Sequence, residues 1–472
     1  MKVLYVSFSK RGVDCYADAS VRYRCIYPAE YLTALGVESS VIHISQAHNL
    51  DLTDYSHLIC HRPLYGLALK RLINRASGNG LNLSADIDDY LFSPDIQSSS
   101  PAVLSGKSSE KAALKSAKSY LAALSLFEHI VCSTEELAIR TEQVFPNKRV
   151  STCFNKLPSR AIPSYASIEC DSRFESKIIR YLPGTSHHQH DYELIKPWIE
   201  SMLAKHPSLH FQVVGDIIPG QLKCRDGQQS SHPSVPFEQL PEIMANSWIT
   251  IAPLVNNPFN ACKSGLKAWE SGLLHVPVIS SFLPDMIRFN CRGLCLSNSY
   301  SEWTDFLERM LCFEEYQQAS NEVYKASSNS IFGKRPDERI SVLGLTYNGT
   351  QSHSSGDFGW LKSRVLSSQF GYSWPLIRLN PLHSQYGQVR DVYDQLWGDA
   401  EAEKSANMLP QWATLTTLER RKLLDHLKEQ ADAKSTIELS GFQVVKRKVR
   451  KLVNSPSLFW QDSRLRKSIR RN

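Results

Sequence analysis

The stretch that decides the fold is NPFNACKSGLKAWESGLLHVPVIS, residues 257–280. Lys263, Lys267 and Glu270 are four and three residues apart, so a helix over 263–273 would place them on one face. A separate apolar face of that helix can pack inward, and the run VPVIS that follows predicts a buried strand. The polar face is therefore either a solvated surface or a site for an anionic ligand.

Composition narrows the class of protein. The chain has 472 residues and ordinary soluble apolar and charged fractions, which suit two or three domains. Its 11 cysteines include no CxxC pair, so neither a disulfide framework nor structural zinc is expected. The N-terminus MKVLYVSFSKRG is too short for a signal-peptide core, and no apolar run approaches the roughly 18 residues of a membrane span. These features predict a cytoplasmic protein.

Positive charge is concentrated at the C-terminus. Residues 442–472 contain ten lysines and arginines and one aspartate, whereas the whole chain has a net charge of +7. The rest of the chain is therefore near neutral, which argues against nucleic-acid binding. Phe442, Val445 and Val449 lie at helical spacing among the basic residues and predict an amphipathic helix on an anionic membrane surface. The alternatives are a solvated helix packed on the protein body and, in third place, nucleic-acid binding by the tail.

Strand-like and helix-like segments alternate twice along the chain, which predicts two doubly wound α/β domains. The strands are expected at 3–8, 39–44, 57–61, 82–87, 128–132, 177–182, 209–214, 248–253, 276–280 and 293–297, and the helices at 21–35, 64–76, 109–126, 133–144, 190–205, 237–246, 263–273, 299–325 and 415–430. The predicted divisions are a first domain at 1–155, a linker at 156–175, a second domain at 176–330, an irregular and helical extension at 331–441 and the basic tail. Ser133 is expected to cap the helix at 133–144.

In the second domain, a glycine turn follows the first strand. Gly184 and Thr185 could approach a phosphate or sugar closely, and His188 and Asp191 follow. By itself this motif is better explained as a plain strand-to-helix loop with Asp191 as a cap.

The helix over 263–273 supplies a second element. Backbone N–H groups at its start, with Lys263 and Ser264, would surround one point suited to phosphate. Glu270, two turns further, could accept hydrogen bonds from vicinal hydroxyls. The pair of elements predicts a nucleoside diphosphate site.

These motifs, GTSHHQHD at 184–191 and FNACKSGLKAWE at 259–270, resemble the donor domain of retaining GT-B glycosyltransferases of the group 1, or family 4, type. The first domain is similar to theirs in SVRYR at 20–24, DIDDYLF at 86–92 and CSTEELA at 132–138, so the resemblance spans roughly residues 1–325. It implies two Rossmann-like domains facing a cleft, with a helical C-terminal extension.

The resemblance also implies residue roles. Glu270 would bind the donor ribose, Lys263, Ser264 and Lys267 the diphosphate, and Gly184 and Thr185 the region of the sugar. The remaining residues expected to bind the donor are His188, Asp191 and Asn260. Many family members carry a further glutamate eight residues before the ribose-binding acid, and here that position is Cys262.

Residues at strand ends of the first domain are expected on the acceptor side. These are Arg22, Arg24, His61, Arg62, Asp88 and Asp89, for which surface ion pairs and helix capping are the alternatives. In a GT-B enzyme lysines and helix dipoles stabilise the leaving diphosphate, so no metal and no cofactor is expected.

The sequence thus predicts a metal-independent, retaining glycosyltransferase of bacterial surface-glycan synthesis, including capsule synthesis. Its partners would be a nucleotide sugar, a polysaccharide or lipid-linked saccharide acceptor and the inner face of the cell membrane. The tail segment KLVNSPSLFWQDS is similar to tails of capsule enzymes. The rival prediction is a GT-B-fold protein without catalytic activity that serves as a binding or scaffold subunit.

Overall fold

Two parallel β-sheets account for the strands of the described residues, which are 1–94, 99–159, 170–333 and 338–344 of a computed structural model. The predicted helix at 415–430 and the basic tail at 442–472 lie outside the described residues. None of the helices in these four ranges is both long enough and apolar enough to cross a membrane.

The first sheet has the order β2-β1-β3-β4-β5-β6. Its strands are β1 (Lys2–Ser7), β2 (Glu38–His43), β3 (His57–His61), β4 (Asn82–Ile87), β5 (His129–Cys132) and β6 (Arg149–Thr152). Short apolar runs such as HLICH form the central strands because both faces of a parallel sheet are buried beneath helices. The chain changes direction across the sheet between β1 and β3, which is the topological switch point.

The second sheet has the order β12-β11-β10-β7-β8-β9, which read from the other edge is the Rossmann order 3-2-1-4-5-6. Its strands are β7 (Ile178–Tyr181), β8 (His210–Val214), β9 (Gln229–His232), β10 (Ile249–Ala252), β11 (Val278–Ser280) and β12 (Leu294–Leu296). The switch point here lies between β7 and β10. The α/β fold class predicted from the sequence is confirmed.

Helices cover both sheets. Those described are α1 (Ala19–Val21), α2 (Tyr27–Ala34), α3 (Leu67–Gly78), α4 (Pro101–Leu104), α5 (Glu110–Leu124), α6 (Glu135–Val144), α7 (Cys170–Ser176), α8 (Gln189–Lys205), α9 (Leu240–Ala245), α10 (Pro258–Ala261), α11 (Leu266–Gly272), α12 (Tyr300–Met310), α13 (Phe313–Ser327) and α14 (Glu338–Val342). A π-helical turn, Arg22–Ile26, joins α1 to α2.

Three local predictions were wrong. Thr134 caps α6, since its side chain accepts the Leu137 N–H, while the Ser133 hydroxyl donates to Asp88 O at 3.0 Å. The single helix predicted at 299–325 is two helices, α12 and α13. Helix α11 begins at Leu266, so the helix predicted from residue 263 is shorter at its start. Helix α7 overlaps the end of the predicted linker, which stays a prediction.

The two domains contact each other directly. Cys262, from the second domain, is fully buried in the apolar core of the first. The Thr134 hydroxyl donates to Cys262 O at 2.9 Å, and the Asn257 side-chain amide donates to Ser99 O at 3.1 Å. Helix α14 then returns to the first domain, where Leu343 is buried. The two domains are therefore joined by a buried side chain and by hydrogen bonds.

Candidate functional site

A cavity of about 420 Å³ lies between the domains at the carboxyl ends of their strands. Its wall includes residues that follow β1 and β3 in the first sheet and β7 and β10 in the second, so it borders both switch points. The charged and polar side chains considered below that line it are Ser20, Tyr23, Arg62, Asp88, Asp89, His188, Lys263, Ser264, Lys267 and Glu270. Open α/β sheets bind ligands at such switch points.

The glycine turn after β7 forms one wall. Gly184 has a φ of +80°, which an L side chain rarely adopts, and no atom lies within 4 Å of a Cβ added there. Glycine is therefore needed for the backbone conformation rather than for space. Thr185 precedes the short 3₁₀ turn Ser186–His188, and its side chain makes no capping hydrogen bond.

His188 lines the cavity, with Asp191 behind it. The His188 Nδ1 lies 2.6 Å from Asp191 Oδ2, and Asp191 Oδ1 accepts the Val255 N–H at 2.7 Å. Burial and the charge of Lys267 lower the pKa of His188 to about 4, so the ring is neutral near pH 7. Asp191 is buried and orients His188; it does not line the cavity.

Lys267 and Lys263 bring two positive charges to the same cavity. The Lys267 ammonium donates to Pro183 O at 3.0 Å, and burial, with Lys263 nearby, lowers its pKa to about 8. Lys263 Nζ lies 3.6 Å from Asp89 Oδ1 in the opposite domain. The two lysines do not share a helix face, because Lys263 precedes α11, yet the loop before the helix still turns it into the cavity.

Ser264 also lines the cavity, and its hydroxyl is buried without a hydrogen-bond partner. A buried hydroxyl with no partner is rare and costs about 1–3 kcal/mol, so a bound group that it can contact would recover that cost. One of the backbone N–H groups predicted to surround a phosphate at the helix start is already occupied, because the Gly265 N–H donates to Asp285 Oδ2 at 2.8 Å.

Glu270 faces the first domain across the cavity. It is half-buried, and its carboxylate accepts a hydrogen bond from the Tyr23 hydroxyl. Burial raises the pKa of Glu270 to about 7, although Tyr23 and the charges of Lys267 and Arg22 act in the opposite direction. A carboxylate with this pKa changes charge near neutral pH, which is typical of functional carboxylates.

The first-domain wall is an ion-pair cluster. Arg62 Nη2 lies 2.5 Å from Asp89 Oδ2, while Arg62 Nε contacts Asp88. The Arg62 charge holds the pKa of Asp88 well below its usual range, although burial alone would raise it. Arg62 has a φ of +49°, an unfavourable backbone conformation for a residue with a side chain. The structure therefore brings Arg62, Asp88 and Asp89 together at the cavity, and their expected role on the acceptor side stays a prediction.

Arg24 and His61 do not reach the cavity, contrary to the sequence prediction. Arg24 is fully buried and donates to both Asp86 oxygens at 2.8 and 2.6 Å, and His61 Nδ1 lies 3.1 Å from Asp86 Oδ1. Both residues therefore pair with the buried Asp86, outside the cavity lining. Arg22 does not line the cavity either; its guanidinium lies 3.9 Å from the centre of the Phe237 ring.

Asn260 is likewise turned away from the cavity. It is 1% exposed, its amide donates to Val255 O at 2.9 Å, and its Oδ1 has no partner. Cys262 is equally inaccessible within the first-domain core. In this conformation neither residue could contact a ligand in the cavity.

Sequence reasoning missed Tyr23 and Ser20. Ser20 Oγ lies 2.8 Å from His61 Nε2 and also contacts Asp88. Ser20 therefore links the buried His61–Asp86 pair to the Asp88 carboxylate at the cavity. Tyr23 and Ser20 both lie within SVRYR, where only the arginines were selected because charge was the search criterion. Across the described ranges, no group of three or more His, Cys, Asp or Glu residues has a metal-binding arrangement.

Comparison with known proteins shows the fold. No protein family and no curated protein matches the chain in sequence. Sucrose-phosphate synthase from Thermosynechococcus elongatus matches in structure with a TM-score of 0.50 and 12% identity, over 78% of this chain and 99% of that one. HepE from Anabaena, solved in complex with UDP, matches with a TM-score of 0.45 and 12% identity, over 70% of this chain and 95% of that one. The trehalose-6-phosphate synthase OtsA matches with a TM-score of 0.45 and 11% identity, over 64% of this chain and 73% of that one.

The first of these matches, with the two switch-point sheets described above, shows that the chain has a GT-B fold. At this level of identity, similarity in structure concerns the fold alone and leaves the reaction to be argued from the site.

Proposed function

We propose that the protein is a glycosyltransferase that uses a nucleotide sugar as donor. The observation that carries this proposal is the joint placement of Lys263, Ser264, Lys267 and Glu270 in one cavity at the second-sheet switch point. Two ammonium groups and a partnerless hydroxyl suit a diphosphate, and a carboxylate suits a pair of vicinal hydroxyls such as those of ribose. One ligand that offers both is a nucleoside diphosphate.

The chemical step then follows from charge. The acceptor hydroxyl attacks the anomeric carbon of the donor, the bond from that carbon to the diphosphate breaks, and the hydroxyl proton passes to the departing diphosphate. Negative charge grows on the departing diphosphate, where Lys267 and Lys263 lie in a site partly shielded from water. We assign no metal to this step. Retention of anomeric configuration is proposed only from the family resemblance.

The acceptor would approach from the first domain. Asp88 and Asp89 offer hydrogen-bond acceptors to sugar hydroxyls, although both are already paired with Arg62. We propose a saccharide acceptor, either a polysaccharide or a lipid-linked glycan in bacterial surface-glycan synthesis. Attachment to an anionic membrane through residues 442–472 is part of the same proposal, supported by their charge and by the helical spacing of their apolar residues.

A second candidate function is a binding subunit that does not turn over its ligand. One observation favours it: Cys262 stands where the family resemblance places an acid, and it is buried in the first-domain core. Donor binding without product release would support this alternative over catalysis.

Glu270→Gln is expected to weaken binding of the cognate nucleotide sugar roughly 10- to 100-fold, since a hydrogen bond to a charged group contributes about 1.5–3 kcal/mol. Calorimetric titration of the full-length protein with a panel of nucleotide sugars measures this. Glu242→Gln, at an exposed position of α9, is the matched control and should bind as wild type does. Equal affinity in Glu270→Gln and wild type would remove Glu270 from the site.

A further inference from the structure

Tyr23 joins the two domains at the point where the donor would bind. It belongs to the π-helical turn of the first domain, lines the cavity and donates its hydroxyl hydrogen to Glu270 of the second domain. π-helical turns are rare and occur frequently at functional sites. The contact is formed by residues 247 positions apart in the chain.

Aromatic packing fixes the Tyr23 ring. Tyr23 is 2% exposed, and its ring meets those of Trp269, Phe237 and Tyr27 edge-on, with centroids 6.1, 6.3 and 5.4 Å away. Trp269 and Phe237 belong to the second domain. The hydroxyl is therefore held at a defined place by both domains, which is what positions a partner accurately.

The surroundings of Glu270 give that hydroxyl a specific effect. The ionisable and charged groups that act on Glu270 are Tyr23 and Arg22 from the first domain and Lys267 from its own helix. Burial favours the protonated acid, whereas the hydrogen bond from Tyr23 favours the carboxylate. Each carboxylate oxygen can accept two hydrogen bonds, so Tyr23 occupies one position and leaves others for a ligand.

We propose that Tyr23 is a positioning residue of the donor site: its hydroxyl orients Glu270 as the acceptor for the nucleotide hydroxyls. This inference rests on the proposed function. It also makes the donor site dependent on closure of the domains, because the first domain supplies the hydroxyl.

The first experiment follows nucleotide binding across pH. Tyr23→Phe removes only the hydroxyl from a packed ring, so it should raise the pH above which Glu270 is ionised by about one unit. Affinity for nucleoside diphosphates of adenosine, guanosine, uridine and thymidine is measured from pH 6 to 9 with full-length protein. The ratio of variant affinity to wild-type affinity should be low near pH 7 and rise at higher pH, because the loss of charge on Lys267 above pH 8 weakens both proteins alike. Tyr16→Phe, which removes a phenol hydroxyl bonded to Val41 O, is the control and should follow wild type.

The second experiment needs no ligand. Because the folded-state pKa of Glu270 is raised from 4.5 to about 7, the folded protein keeps a proton that the unfolded chain loses, and stability falls as pH rises through that window. The difference in unfolding temperature between wild type and Glu270→Gln reports this fall. The same comparison is made between Tyr23→Phe and the double variant Tyr23→Phe/Glu270→Gln. Their difference in unfolding temperature should continue to grow above pH 7.

The two readouts separate the two proposals. Unchanged pH midpoints in both experiments would overturn the role of Tyr23, as would affinity lost equally at every pH. If no nucleoside diphosphate binds wild type, the proposed function is contradicted, and the inference fails with it as a statement about a donor site. The unfolding measurements then show only whether the Tyr23 hydroxyl affects the ionisation of Glu270.

Discussion

Lys267→Ala is expected to lower the rate of donor cleavage roughly 100- to 1,000-fold, the size of effect seen when one preorganised group that stabilises developing charge is removed. The Lys267 ammonium is held against Pro183 O, so it does not need to reorganise as charge develops on the diphosphate. Its lowered pKa of about 8 also predicts that activity falls as pH rises above that value, where the free protein loses this charge.

Release of nucleoside diphosphate from the cognate nucleotide sugar measures this rate, with water as acceptor until the natural acceptor is known. Lys223→Ala changes an exposed lysine of the same domain and should leave the rate unchanged. A Lys267→Ala protein with the wild-type rate would show that this cation takes no part in the reaction.

Arg24→Ala is expected to destabilise the protein by about 3–5 kcal/mol, because it leaves a buried carboxylate without its main partner. Arg24 also donates to Cys153 O at 2.6 Å and to Asn155 Oδ1 at 3.0 Å, so one substitution removes several buried contacts. Burial raises the pKa of Asp86, but Arg24 and His61 outweigh it and lower that pKa overall.

Urea unfolding of the full-length protein tests this prediction. Arg22→Ala is the matched control: Arg22 lies against the Phe237 ring and is not paired with Asp86, so its loss should cost much less. If Arg24 faced the acceptor, as the sequence suggested, Arg24→Ala would lose activity at unchanged stability. That result would contradict the structural role.

Most of the fold could be predicted because its strands are short apolar runs between helices. The two strands that were missed, β6 and β9, lie at sheet edges, where one side is free of a neighbour and polar sequences such as RVST and QSSH are tolerated. No apolar run marks them. The division between α12 and α13 was missed because Leu311 and Cys312, which separate them, include no glycine or proline.

The sequence predicted the relative positions of site residues only where they lie on the same helix. The spacing of Lys267 and Glu270 on α11 could be read directly, whereas Lys263 reaches the cavity through a loop whose path the pattern did not specify. The pairing of Tyr23 with Glu270 depends on how the two domains pack against each other, and no local pattern encodes that. His275 shows the same limit at smaller scale: it adopts a φ of +61° after α11, where glycine is the usual residue.

The most direct test of the central claim is binding of a nucleotide-sugar panel to wild type and to the Lys267→Ala/Glu270→Gln double variant, measured calorimetrically on full-length protein. The account predicts that at least one nucleotide sugar binds wild type, that the matching nucleoside diphosphate competes with it, and that the double variant loses this binding. Failure of every nucleotide sugar to bind wild type, or equal binding by the double variant, would contradict the assignment of this cavity as a donor site.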